Sequence, residues 1–269
     1  MVLKQTTFLF LLTWAVGAAA QPTARQPTGN WIPKFAANHC IASRPYGGAE
    51  GPLDLVVEAP PLGDAMQFSV IKKARSVRAQ QVDATIRVDQ GPPVDTTMLM
   101  FSPPNKDVRI YQTIMSPGEF ARIRAAKILT VRSDGLKESF ALSEMEPILR
   151  QMQGCVAELR RVWNITADDA SPPLVAQRTK GRLADVFDSE DYPAVSLKAG
   201  QSGQTSFVLL IDETGRVAEC MITASSGVAG LDAQTCILIR QRASFEPAVG
   251  FDGKPAKDSF SQKVRWRVL

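Results

Sequence analysis

The chain is poor in the residues that most enzymes rely on. It has one histidine, His39, in 269 residues, so a histidine-based triad would have no other base, and no nucleophile is predictable beside it. His39 precedes Cys40 and reads as the solvated or hydrogen-bonded neighbour of a disulfide. There is no GxSxG, no P-loop and no HExxH. The cysteines form no CxxC and no Cys/His spacing of the kind that zinc binding or thiol redox catalysis needs. No catalytic residue, cofactor or metal site is therefore expected. After the first twenty residues, no run is long and apolar enough to span a bilayer. A large charge of one sign is also missing. The formal net charge of +4 is mildly basic and leaves no nucleic-acid footprint.

The composition is that of a globular protein, 45% hydrophobic and 22% charged, with a length that suggests two domains. Residues 1–20 read as a secretory signal peptide. Lys4 supplies the positive region, Phe8–Val16 the apolar region, and Ala18-Ala19-Ala20 a cleavage site before Gln21. The competing reading keeps these residues as an inner-membrane anchor; the short apolar run and the small-residue ending favour cleavage and a periplasmic mature chain. Four cysteines in an exported chain imply two disulfides. Of the three connectivities, the one that respects the domains is expected: Cys40–Cys155 and Cys220–Cys236. The second loop is worth about 3 kcal/mol in the chain-entropy account.

In chain order, residues 21–30 read as a Pro/Thr/Gly linker, reaching only about 30 Å as a polyproline helix. Residues 31–164 read as a β-rich α+β domain. Its β-like runs are Leu53–Glu58, Met66–Lys72, Val82–Asp89, Thr97–Phe101, Val108–Met115, Ile128–Arg132 and Leu136–Leu142, separated by turn residues. Two helices interrupt them. One is capped by Ser116 with Glu119 and carries Pro117 at its first position; the other is expected to be capped by Ser143 with Glu146. The second helix carries an apolar stripe: Met145, Ile148, Leu149, Met152, Cys155, Val156, Leu159, Val162 and Trp163. Asn164-Ile165-Thr166 matches a glycosylation sequon and is read as chance. Residues 165–190, rich in Pro and acids, read as a solvated linker.

Residues 191–269 read as two helical pieces on a small antiparallel sheet. Ala194–Ala199 forms a short helix, and a hairpin at Asp212–Gly215 joins runs Thr205–Ile211 and Arg216–Thr223. Ser225-Ser226-Gly227 is a turn rather than a nucleophile. Asp232 is the expected N-cap of the next helix, with Leu231 stapled on Cys236. The last strand alternates. Phe260, Val264, Trp266 and Val268 point one way, and Ser259, Ser261, Lys263, Arg265 and Arg267 the other.

Tyr192-Pro193, Asp212-x-x-Gly215, Ser225-Ser226-Gly227, Leu231-Asp232, Phe245-Glu246-Pro247-Ala248, Gly253-Lys254-Pro255 and a final strand occur in an order that resembles the C-terminal domain of the TonB family. The resemblance implies a three-stranded antiparallel sheet with two helices. It also implies binding of outer-membrane or other envelope protein segments by strand addition beside the last strand, with Asp191, Tyr192, Ser259, Ser261, Lys263, Arg265 and Arg267 at the binding surface. Lys and Arg on an edge strand serve equally well as protection against aggregation. Exchange of the same strand would give a homodimer. Two departures argue against an anchored energy transducer, which is the alternative function: the leader has no histidine, and the linker is short. Trp31, Cys40-x-x-Ser43-Arg44 and the late Cys155 helix resemble the invasion-associated locus B family. An enzyme site in residues 31–164 is the remaining alternative. N-terminal sequencing of the exported protein tests the leader, with Gln21 as the expected first residue; a retained Met1 restores the anchor.

Overall fold

The computed structural model describes residues 23–48, 51–166 and 174–268. The leader and its cleavage site lie outside them, as do Asp168, Asp169 and Leu269. The first domain contains β1 (Ile32–Ala36), β2 (His39–Tyr46), β3 (Leu53–Ala59), β4 (Met66–Lys73), β5 (Gln80–Val88), β6 (Val94–Phe101), β7 (Val108–Met115), α1 (Pro117–Ala125), β8 (Ile128–Ser133), β9 (Leu136–Ala141) and α2 (Met145–Val162). The strands form one antiparallel nine-stranded sheet in the order β1-β2-β3-β4-β7-β6-β5-β8-β9. Period-two alternation curls it around an apolar interior. Leu53, Leu55 and Val57 of β3 point in with Phe68, Val70, Tyr111, Leu129 and Phe140, while Asp54 faces solvent.

Residues 23–30, expected as linker, complete this sheet. Arg25 bridges β9 through Arg25 N–H to Ser139 O (2.7 Å) and Ala141 N–H to Arg25 O (2.9 Å). Thr28 donates to Pro45 O of β2 at 2.9 Å. The segment thus spans the gap between β2 and β9 and ties the curled sheet to itself. Its backbone supplies these bonds, so a Pro/Thr/Gly composition gives no sign of them. The Arg25 guanidinium forms a bidentate pair with Glu138 (2.5 and 2.8 Å), with both side chains under 10% exposed.

β1 and β2 were not anticipated either. β2 contains Arg44 and Pro45, which weaken a strand signal. Arg44 is nevertheless buried, donating to Gly29 O, Ser143 O and Glu144. This explains a second correction. Ser143 is not the N-cap of α2: Arg44 occupies it, Glu144 holds the cap position in a left-handed conformation, and Glu146 pairs instead with Arg124. The local box at Ser116 and Glu119 forms as expected.

The stripe on α2 is buried, but against two partners. Met145, Ile148, Leu149 and Met152 close the interior of the curled sheet. Leu159 and Trp163 instead join Ile165, Val208, Leu210 and Met221 in a second cluster that includes Cys40. Both disulfides, Cys40–Cys155 and Cys220–Cys236, are formed. Trp163 Nε1 donates to Ala37 O, and Asn164 Nδ2 donates to Lys257 O across the domains. Asn164 is only 9% exposed, so its amide is not free to carry a glycan.

The second domain contains β10 (Lys180–Gly181), α3 (Ala194–Lys198), β11 (Gly203–Ile211), β12 (Val217–Ala224), α4 (Ala229–Arg242), β13 (Phe245–Glu246), β14 (Ala248–Val249), β15 (Pro255–Ala256) and β16 (Asp258–Trp266). Its three-stranded sheet runs β12-β11-β16, and the whole fold is α+β as expected. The solvated linker expected at 165–190 is corrected at Ile165, which is buried, and again from Leu174 onward. Val175 and Val186 are buried, β10 pairs with β13, and Gln177 bridges Val249. The hairpin turn needs its glycine: Gly215 sits at φ 80°, and a Cβ there would fall 2.0 Å from Phe245 O.

β11 is covered on both faces. Phe207, Leu209 and Ile211 pack under α4 with Leu231, Leu238 and Ile239, and Val208 and Leu210 meet the end of α2. Truncating Arg25 to alanine leaves Glu138 buried without its ion partner. The expected loss is about 3–5 kcal/mol of unfolding free energy, read from urea denaturation; a loss below about 1 kcal/mol would show that the closing segment is dispensable.

Candidate functional site: the open margin of the second sheet

β16 pairs along its length with β11, from Ile211↔Asp258 to Gly203↔Trp266. On its other margin it has no strand partner among the described residues. The start of that margin is nonetheless covered. Asp258 accepts from Arg178 Nε (2.9 Å) and Thr179 N–H (2.8 Å) through one oxygen, and Ser259 O accepts from Arg178 Nη2. Beyond Phe260 the backbone is clear of this segment, so the open stretch runs from Phe260 to Trp266.

The structure divides the residues expected at the binding surface into three groups. Ser261, Lys263 and Arg265 are exposed on the open stretch, and Arg267 is exposed just past it. Lys263, Arg265 and Arg267 have no ion partner among the described residues. Ser259 is buried under Arg178, so the alternation expected at the strand's start fails there. Asp191 and Tyr192 stand behind the strand rather than beside it. Asp191 is buried and takes a bidentate pair from Arg242 (2.6 and 2.7 Å). Those hydrogen bonds hold its carboxyl below the usual carboxylate range against the opposing effect of burial. Tyr192 meets Trp266 edge-on at 5.4 Å and donates its hydroxyl to Gln201 O. Tyr192 braces the far end of β16 from within, and Asp191 holds Arg242 of α4.

Gln262 was missed. By register it sits opposite Phe207, on the apolar side with Phe260 and Val264, yet it is exposed. The signal was a polar residue at an apolar position of the alternation.

Asp232 also has a different role from the expected one. α4 begins at Ala229 with Val228 at the cap position, which places Asp232 inside the first turn. Its buried carboxylate reaches back to accept from Thr205 Oγ1 (2.8 Å), Ser225 Oγ and Ser226 N–H (2.9 Å). Burial raises its pKa, and these donors oppose the rise. Asp232 thus ties the Ser225-Ser226-Gly227 turn to both α4 and β11, the strand that carries β16.

The arrangement offers no nucleophile–base pair, and no group of three potential metal ligands converges among the described residues. It offers an unpaired strand margin with a cationic side. The family model described as "Gram-negative bacterial TonB protein C-terminal" matches residues 189–268. No curated protein matches the chain.

Replacing Asp232 with alanine strands two hydroxyls and one N–H. Thermal or urea unfolding is expected to show a loss of about 3 kcal/mol, with Asp232→Asn losing less. Equal losses for the two variants would mean that the carboxylate's hydrogen bonds contribute little.

Proposed function

We propose that this chain, whose residues 189–268 form a TonB C-terminal domain, is a non-enzymatic periplasmic protein that binds extended segments of outer-membrane or other envelope proteins by adding them as a strand to β16. The observation that carries the reading is the outer margin of β16 from Phe260 to Trp266, which has no strand partner among the described residues. An extended peptide gains main-chain hydrogen bonds there, and its alternate side chains meet Ser261, Lys263 and Arg265. Those cations favour acidic segments and speed their encounter. Tyr192 supports the strand through Trp266, Asp191 holds Arg242 of α4, and neither is a contact in this reading.

A second open margin makes a useful contrast. β1 ends the large sheet but is five residues long and contains Pro33, which has no N–H to donate. β16 is nine residues long and has no proline. Of the two, β16 is the better template.

The test is amide chemical-shift mapping of the full chain with acidic peptides drawn from the N-terminal segments of outer-membrane receptors. Shifts are expected to concentrate on Phe260–Trp266. Reversing both Lys263 and Arg265 to Glu should raise Kd about tenfold and flatten its salt dependence. Shifts that bypass β16 would overturn the reading.

A further inference from the structure

A cavity of about 430 Å3 lies between the two domains. One wall is the outer face of the curled sheet, where Ile41, Glu58, Gln67 and Ile114 stand abreast on β2, β3, β4 and β7. The other wall is formed by β12 and α4. The cavity is largely apolar, lined by Ile41, Leu99, Phe101, Met221 and Ile222. Ile237 and Arg240, both exposed, stand at its margin.

Set into this apolar surface is one carboxylate with an oxygen that no protein donor takes among the described residues. Gln112 Nε2 donates to Gln67 Oε1 (2.8 Å), and Gln67 Nε2 donates to Glu58 Oε2 (2.8 Å). Glu58 Oε1 receives no hydrogen bond among the described residues, although a carboxylate can accept about four. The other ionisable groups around the cavity are Glu219 on β12, Arg240 and Asp232 on α4, and His39 on β2. Glu219 is already engaged by Arg240, by its neighbour Cys220 N–H (3.0 Å) and by Asn38 (3.4 Å). Asp232 is engaged by the turn described above. Glu58 alone among the three acids has an oxygen left over.

We propose that this cavity is a binding site for a small amphipathic amine, with its ammonium group on Glu58 and its hydrocarbon part against Ile41, Leu99, Phe101 and Met221. An anion would meet the repulsion of Glu58 and Glu219. A purely apolar guest would leave Oε1 desolvated and unpaired, which is costly. An ammonium supplies donors and opposite charge together. The volume and the position between domains suit a small molecule. Burial, and next the repulsion of Glu219, push the Glu58 carboxyl from 4.5 up to about 7, with Arg240 opposing. The folded protein therefore holds this proton more tightly than the unfolded chain does. The resulting contribution to stability is complete below pH 4.5 and is lost as the pH rises through about 7. A bound ammonium pulls the pKa back down and expels the proton. This site is independent of strand addition at β16.

The test is titration calorimetry of the full chain at pH 7 with benzylamine, benzyl alcohol and benzoate. Benzylamine is expected to bind one to one, at least tenfold more tightly than the other two. Its binding should release roughly half a proton, seen as a heat that varies with buffer ionisation enthalpy. Glu58→Gln should abolish both the preference and the proton release. Ile237→Trp, which narrows the mouth at an exposed position and leaves Glu58 intact, should weaken benzylamine binding with folding unchanged. No binding of benzylamine at millimolar concentration, equal binding of the amine and the alcohol, or proton release that persists in Glu58→Gln would each overturn the proposal.

Discussion

The structure depends on β11 being buried on both faces. A three-stranded sheet with one layer of helix leaves its other face to water, and in this chain that face carries Val208, Leu210 and Met221. Their cover comes from the other domain, through Leu159, Trp163 and Ile165 at the end of α2. The Cys40–Cys155 bond fixes the helix to β2 close by. Two domains that look separable by composition therefore share one core. The same contact decides which margin of the small sheet stays open. The β12 side meets the loop between β3 and β4, so closely that a Cβ on Gly63 would fall 2.9 Å from Thr223 O. The β16 side faces away.

Features set by short-range chemistry were legible in the sequence. The strands from β3 to β9 followed their alternation, the Ser116 cap followed its box, and the two disulfides followed from an even count divided by domain. The failures share a cause. The Ser143 cap was overridden by Arg44 from a distant strand, and Glu146 by Arg124. Asp191 was expected at the binding surface, Asp232 as a helix cap and the Thr179 region as solvated linker, because composition cannot show that Arg242, Thr205 or Asp258 will meet them. Residues 23–30 join the sheet through backbone bonds that no side chain announces.

One missed feature did leave a trace. Phe207-Val208-Leu209-Leu210-Ile211 is unbroken by any polar residue, and a strand with one wet face alternates. That run alone predicts a second covering layer, and with it the joined domains. Of the candidate surface, Lys263, Arg265 and Ser261 were readable from the alternation. Ser259 was not, because its cover comes from Arg178, in a stretch that looked like linker.

The joined core also bears on how edge and cavity coexist. The strand margin at β16 and the cavity beside β12 and α4 lie on opposite sides of β11, which is held from both faces. A guest in the cavity touches the seam between domains and leaves the β16 backbone uncovered. A strand added at β16 in turn extends the sheet without entering the seam. Both surfaces rest on the same buried strand, so anything that loosens the end of α2 from Val208 and Leu210 disturbs the two together. The junction of Trp163, Asn164 and Lys257 is where such a disturbance would begin. There α2 ends, the second domain is gripped by a hydrogen bond from the Asn164 side-chain amide to Lys257 O, and β16 starts one residue later.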